Sequence, residues 1–289
     1  MQHLQSLRKK ITQKKVIQAM GCHSPLSAKV AEKAGFDALW ASGFELSAMY
    51  GLPDMSMITM TQHLDMLRAI ASETQIPIIA DIDTGYGNAI NVIHTIISYE
   101  QAGASAVVME DKHFPKVTSL LEGGRQHLLP IEEFQGKIEA ACANRINPDF
   151  LIIARVEALI AGLGEAEALK RAMAYEAAGA DLILIHSKQK SPQEIINFTN
   201  AWQGNIPLVI VPTAYPELTL AEIQALQKIA IVIYGNHAIR ACTAAMQSTF
   251  QKILKQGMLS VEKDIASVKE IFELQNMDWV KVNEKQYLR

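Results

Sequence analysis

Two aspartates stand two residues apart in the stretch ADIDTGYGN, residues 80–88. They directly follow an apolar run. If that run is a strand, its alternation puts Asp81 and Asp83 on one face. Like charges so placed repel unless a cation or a proton lies between them. A hard divalent ion suits the arrangement, because Mg2+ is held by one or two carboxylates and keeps several waters. Glu110, which opens a second acidic pair with Asp111, is placed to join directly or through water. The competing structural use is that Asp83 caps the next helix while Asp81 pairs with Arg155. No histidine accompanies these acids at ligand spacing, which favours Mg2+, with Mn2+ or Co2+ as alternatives, over zinc.

Cations and hydroxyls gather in the same part of the chain. Arg155 fits two uses, as ion-pair partner of Glu157 or as a clamp whose planar fork matches phosphate or carboxylate. His186 stands past another apolar run and serves equally as a hydrogen-bonded core residue. The stretch MEDKHFPKVTSLLEGGRQHL, residues 109–128, carries Lys116, Thr118, Ser119 and Arg125 around a proline and a glycine pair. Beside a metal, these groups describe a site for a small, multiply anionic substrate.

The elements that must position these residues are legible as repeats. AEKAGFDALW (31–40), YEQAGASAVV (99–108) and YEAAGADLIL (175–184) each read as a helix, a glycine and an apolar run. Gly35, Gly103 and Gly179 fit the left-handed residue that ends a helix and returns the chain to a strand. Eight apolar runs can be counted, at 16–20, 38–41, 76–80, 105–109, 150–154, 182–185, 206–211 and 229–234. Most are continuous, as befits parallel strands buried on both faces. Eight strand–helix units without a break in composition predict a single (β/α)8 TIM barrel over residues 1–289, with a doubly wound open sheet as the alternative. Just past the runs stand Ser42 with Gly43, Asp81 with Asp83, Glu110, Arg155 with Glu157, His186, Thr213 and Asn236. Barrel enzymes build their sites at that end of the strands.

Bulk properties narrow the class further. The hydrophobic share is 49% and the formal net charge −3, so neither nucleic acid nor a membrane surface is an expected partner. The N-terminal segment, residues 1–16, is polar and basic with no apolar core, unlike a signal peptide. No run approaches the roughly 20 apolar residues that span a bilayer. Cys22, Cys142 and Cys242 are widely separated and read as reduced cysteines of a cytoplasmic protein.

The stretches DIDTGYGN, EDKHFPK, ARVEALIAGLG, AGADLILIHSK, NHAIRA and SVKEIFELQ resemble the phosphoenolpyruvate mutase / isocitrate lyase superfamily, from about Ala19 to Gln275. DTGYGN together with EDKHFPK points to its phosphonopyruvate-processing branch. The resemblance implies a Mg2+-dependent barrel that acts on 2-oxo acids through enolate chemistry. It also implies a homotetramer whose C-terminal helix, around SVKEIFELQ, is exchanged between subunits. Carried over residue by residue, Asp81 would hold the metal, with Asp83 and Glu110 acting through waters. Backbone amides at Ser42, Gly43 and Phe44 would bind the substrate carboxylate. Lys116, Arg155 and His186 would face the phosphonate together with Ser119. Asp54, in GLPDMSMIT, matches an active-site aspartate of the family, its structural alternative being a helix cap. Residues 112–129 would close over substrate as a gate.

Lyases of the superfamily carry a cysteine in the corresponding loop, whereas KHFPKVTSL has none. No lysine stands inside a strand run, which argues against a Schiff-base aldolase. Within the branch, mutases have asparagine in a KxNS pattern, and KVTS with Thr118 is similar to the hydrolytic members instead. Threonine is shorter than asparagine and its hydroxyl both donates and accepts, so it would admit and orient a water. The implied reaction is Mg2+-dependent hydrolysis of the P–C bond of 3-phosphonopyruvate to pyruvate and phosphate. The alternatives are the mutase isomerisation, an oxaloacetate-type decarboxylation or C–C lysis, and a catalytically inactive barrel that only binds a metabolite.

Overall fold

The computed structural model describes residues 6–13 and 16–289. Part of the N-terminal segment considered above (residues 1–5, 14 and 15) lies outside the described residues.

Each apolar run is a strand: β1 (Ile17–Cys22), β2 (Ala38–Ala41), β3 (Ile78–Asp81), β4 (Ala106–Glu110), β5 (Leu151–Val156), β6 (Leu182–Ile185), β7 (Leu208–Ile210) and β8 (Ile229–Tyr234). Every strand pairs in parallel with the next, and β8 closes onto β1 through Ile17 opposite Ile231 and Met20 opposite Tyr234. This is the expected (β/α)8 barrel, and closure excludes the open sheet. Gly35, Gly103 and Gly179 take φ of 92°, 100° and 99° at the ends of their helices. A side chain there would meet the left-handed backbone penalty, and at Gly103 a Cβ would also lie 2.8 Å from that of Ala71.

Strand alternation fixes what fills the barrel. Ala38 and Trp40, Ile79, Ala106 and Val108, Leu151 and Ile153, Leu182 and Leu184, and Val209 form one buried interior cluster, joined by Leu7 of the helix Leu7–Thr12. The alternate residues of the same strands, such as Leu39, Val107 and Ile152, face the outer helices in a second cluster. Each fully buried Val, Leu or Ile in these layers contributes about 1.5–3 kcal/mol relative to exposure. Adding two to the last inward apolar residue of β2 to β6 gives Ser42, Asp81, Glu110, Arg155 and His186. The top layer of the interior is therefore polar, and its cost must be met by mutual pairing.

Three strand ends lie beyond the sequence reading. β3 and β4 end at Asp81 and Glu110, and β5 runs through Arg155 to Val156. These ionisable residues are thus the last rungs of the sheet rather than the first residues of the loops, held by ladder pairs such as Glu110 opposite Arg155.

The chain forms two compact units, residues 1–238 and 239–289. The second unit holds most of the helix His237–Gln256 and the helices Val268–Leu274 and Met277–Tyr287. SVKEIFELQ forms the helix Val268–Leu274, opened by a capping box between Ser267 and Glu270. Leu254, Leu259, Val268, Trp279 and Val282 of this unit are all exposed. Among the described residues no helix is long and apolar enough to cross a membrane.

Candidate active site

The polar top layer opens into a cavity of about 70 Å3. Ser42, Phe44, Asp54 and Asp81 line one side of it, and Arg155 and His186 the other. The loop between β4 and the helix Ile131–Asn144 roofs it with Lys116, Thr118 and Ser119. That loop is pinched at its base, where Lys112 bridges Leu128 in antiparallel fashion and the His113 N–H donates to the His127 carbonyl at 3.0 Å. Arg125 does not line this cavity; it lies against the outer side of the loop with His113 and His127.

On the carboxylate side, Lys116 reaches down from the loop between two acids. Its Nζ is 2.6 Å from Asp83 Oδ1 and 2.8 Å from Asp54 Oδ1. Ser56 ties loop to floor, donating to Asp83 Oδ2 and accepting from the Lys116 N–H, both at 3.2 Å. Asp81 accepts backbone hydrogen bonds from Gly43 at 3.3 Å and Asp83 at 3.2 Å. Asp83 itself sits at φ 50°, a left-handed position that aspartate tolerates better than most residues. Neither structural alternative for these acids is realised. Asn88 caps the helix Ala89–Gln101 and Thr59 caps Met60–Glu73, so Asp83 and Asp54 are free of that duty. Arg155 pairs with Glu157, and more distantly with Glu110, instead of with Asp81.

Burial pushes the Asp83 carboxyl up to about 7, opposed by Lys116 and reinforced by Asp81, Asp54 and Glu110. Glu110 is raised too, mainly by burial, against Lys112, Arg155 and Lys116. For Lys116, burial would lower the pKa, yet the surrounding carboxylates outweigh it and hold the ammonium charged.

Across the cavity the cationic side is built on Glu157. Its Oε1 accepts from Arg155 Nε at 2.5 Å, and its Oε2 accepts from the Ser119 hydroxyl at 2.6 Å and meets Lys112 Nζ at 2.9 Å. Arg155 also donates from Nη2 to Ser119 Oγ at 2.9 Å, and the same Nη2 lies 2.9 Å from His186 Nδ1. Burial and the neighbouring guanidinium lower the His186 pKa, so the ring is neutral. Its Nδ1 lies 2.9 Å from Arg155 Nη2 and 3.1 Å from Glu157 Oε1, within reach of both a donor and an acceptor. Glu157 is held well below the usual carboxylate range, because Arg155 and Lys112 overcome its burial. The Thr118 hydroxyl has no protein hydrogen-bond partner among the described residues, although both neighbours in the chain are fixed.

Among the described residues no three Asp, Glu, His or Cys side chains converge as a ready-made metal cage. A partly hydrated Mg2+ needs less, one or two carboxylates with the rest water. Two observations make the residues present fit it. Glu110 Oε1 is buried without any hydrogen-bond partner among the described residues. Five carboxyl groups (Asp54, Asp81, Asp83, Glu110 and Glu157) face three cations (Lys112, Lys116 and Arg155), so the acids outnumber the cations by two. Gly43 leaves room beside the acids, since a Cβ there would stand 3.2 Å from both Asp81 Oδ2 and Asp83 Oδ1.

The Phosphoenolpyruvate phosphomutase family profile matches residues 7–254. The chain belongs to this family. It is 57% identical to the phosphonopyruvate hydrolase of Variovorax sp. (strain Pal2), over 99% of each chain. A crystal structure of phosphonopyruvate hydrolase in complex with oxalate and Mg++ superposes with a TM-score of 0.94 at 55% identity, covering 99% of both chains. The phosphoenolpyruvate phosphomutase of Streptomyces platensis subsp. rosaceus superposes with 0.96 at 46% identity, covering 98% of this chain and 99% of its own. Within the family the barrel therefore does not separate hydrolase from mutase; side chains around the cavity must.

Sequence reasoning missed Lys112, Ser56 and the cavity wall of Trp40 and Leu120, and it read Glu157 only as a partner for Arg155. Parity would have flagged two of them. Lys112 and Glu157 continue the inward alternation of Val108–Glu110 and Ile153–Arg155 by one more step.

Proposed function

We propose that this chain hydrolyses the P–C bond of 3-phosphonopyruvate, giving pyruvate and phosphate, with Mg2+ as cofactor and Mn2+ or Co2+ as substitutes. The observation that carries the reading is Thr118: among the described residues its hydroxyl lacks a protein partner at the cavity edge, between Lys116 on one side and Ser119 and Arg155 on the other. The likeness to a phosphonopyruvate hydrolase across nearly the whole chain supports it.

In this reading Asp81, aided by Asp83 and Glu110 through waters, would hold the metal, which when bound supplies electrophilic stabilisation of enolate charge. Backbone amides at Ser42, Gly43 and Phe44 receive the substrate carboxylate. Arg155 and neutral His186 face the phosphonate from the opposite side and Lys116 meets it from the loop, with Ser119 behind Arg155. A phosphoryl group leaving carbon is loosely bonded in the transition state and chiefly needs charge and alignment. Asp54 fixes Lys116 for that task. Thr118 then orients a water in line with the breaking P–C bond. The bond pair departs with carbon as the enolate of pyruvate, the water oxygen bonds to phosphorus, and a proton from solvent completes pyruvate.

The test is to incubate purified protein with phosphonopyruvate, with and without a chelator, while following phosphate, pyruvate and phosphoenolpyruvate. Stoichiometric phosphate and pyruvate that vanish with chelator are expected. Phosphoenolpyruvate as the chief product would assign the chain to the mutases. We further propose a cytoplasmic homotetramer with exchanged C-terminal helices, supported by the exposed apolar residues of the C-terminal unit, such as Val268 and Trp279. Light scattering on the eluted protein should give four times the mass of 31.9 kDa.

A further inference from the structure

A single buried ammonium grips the loop on both sides of Thr118. Lys112 Nζ donates to the Val117 carbonyl at 3.0 Å and to the Ser119 hydroxyl at 2.6 Å, and it pairs with Glu157 Oε2 at 2.9 Å. Its side chain is 2% exposed. An ammonium has three donors, and here all three are engaged. Ser119 is equally committed: its hydroxyl donates to Glu157 and accepts from both Lys112 and Arg155. A hydroxyl offers one donor and two acceptor positions, so none is left over. Thr118 therefore sits between two pinned neighbours while its own hydroxyl has no protein partner among the described residues.

Charge neutralisation alone does not account for Lys112. Glu157 already has Arg155 at 2.5 Å, and burying a second long cation beside it is costly unless its donors are used geometrically. The position of Lys112 in the chain gives that geometry a purpose. It lies at the pinched base of the loop, opposite Leu128, yet its tip reaches Val117 and Ser119 near the roof. Glu157 follows β5 on the rigid barrel and provides the fixed post. A loop closed without this grip would leave Thr118 free to swing.

We infer that Lys112 is a positioning residue for the reaction: it orients Thr118 by clamping the main chain and side chain on either side of it against Glu157. This rests on the hydrolytic reading above, in which Thr118 aligns the water. Misplacing an aligned group by about 1 Å costs on the order of 100-fold in rate, and an interaction of this kind is felt in kcat rather than in KM.

The experiment compares wild type, Lys112→Met, which keeps the packing volume but removes all three donors, and Lys112→Arg. Phosphate release gives kcat and KM, and limited proteolysis within residues 112–129 is followed in the presence of Mg2+ and oxalate. For Lys112→Met we expect kcat to fall about 100-fold with KM changed less than about threefold. The protease protection conferred by Mg2+ and oxalate should be lost, and Lys112→Arg should recover at least about tenfold of the rate. Should Lys112→Met not fold, Ser119→Ala removes one arm of the same clamp and must show the same loss of protection. A hydrolytic wild type whose Lys112→Met form keeps kcat within about threefold and remains protected overturns the clamp alone. A wild type that makes only phosphoenolpyruvate overturns the hydrolytic reading, and Lys112's role in hydrolysis falls with it.

Discussion

Lys116, on the loop that roofs the cavity, meets Asp83, just past the end of β3, at 2.6 Å. The pair joins the loop to the floor of the site, and Asp54 braces Lys116 as well. Lys116→Met removes the loop cation that, among the described residues, pairs with these acids. We expect kcat to fall by about 1000-fold, the scale of losing one preorganised charge at a transition state. Removing one member of a buried pair costs about 3–5 kcal/mol when the other stays ionised. Asp83, already pushed up to about 7, escapes that by taking a proton. The melting temperature should therefore drop only a few degrees, and a calorimetric scan beside the kinetics separates the two effects.

Thr118 carries the choice of acceptor. Thr118→Ser retains a hydroxyl and should keep most of the hydrolysis. Thr118→Val is nearly isosteric but cannot hydrogen-bond, and should lose about 100-fold in phosphate release, the lower range for a group acting on a proton-bearing nucleophile. In Thr118→Asn the longer amide displaces the water, and phosphoenolpyruvate should appear among the products while phosphate falls at least about tenfold. Product analysis by phosphorus resonance decides, and unchanged hydrolysis by the valine variant would remove Thr118 from the mechanism.

Much of this layout was written in the sequence for a simple reason. Parallel strands buried on both faces must be continuously apolar, so all eight were countable, and a period of two then carries Ile79 to Asp81, Val108 to Glu110 and Ile153 to Arg155. Strand ends were placed one or two residues short because Asp81, Glu110 and Arg155 look like loop residues until their pairing across the top layer is known. The clamp was illegible for a different reason. Two of Lys112's three partners lie on its own loop, and one is a main-chain carbonyl that any residue type supplies. A lysine in a polar loop reads as solvated unless the path of the loop is in hand. The link from Tyr86 through Tyr99 to His63, with both contacts at 2.9 Å, was hidden likewise, since it joins three segments with no shared spacing.

Gly43 tests the metal reading independently of the loop. Its missing side chain leaves space where a Cβ would stand 3.2 Å from a carboxylate oxygen of each of Asp81 and Asp83. In Gly43→Ala those carboxylates must shift by a few tenths of an ångström. We expect the Mg2+ concentration for half-maximal activity to rise about tenfold, with the maximal rate at saturating metal reduced far less. Asp81→Asn should instead leave no metal concentration that restores the rate. Chelator should inactivate the wild type without unfolding it, and added Mg2+ should restore it; the far-ultraviolet dichroism of the chelated protein checks the first point.

His63 gives the acid limb of stability a specific origin. It is buried behind Asp81 on the helix Met60–Glu73, with Nδ1 in contact with the Tyr99 hydroxyl. Burial lowers its pKa to about 4, despite the opposing pull of Asp81. In the unfolded chain the same ring titrates near 6.5, so between about pH 6.5 and 4 the unfolded state binds the extra proton. Stability from this residue is thus complete above about pH 6.5 and is lost as pH falls towards 4, by about 3 kcal/mol in all. His63→Phe removes the titration while losing the hydrogen bond to Tyr99 at every pH. The unfolding free energy of wild type minus that of His63→Phe, from urea titrations between pH 7.5 and 4, should therefore shrink by about 3 kcal/mol on acidification. His186, whose pKa is also lowered, contributes equally to both proteins and cancels. A difference that stays constant across that range would assign the acid sensitivity to some other group.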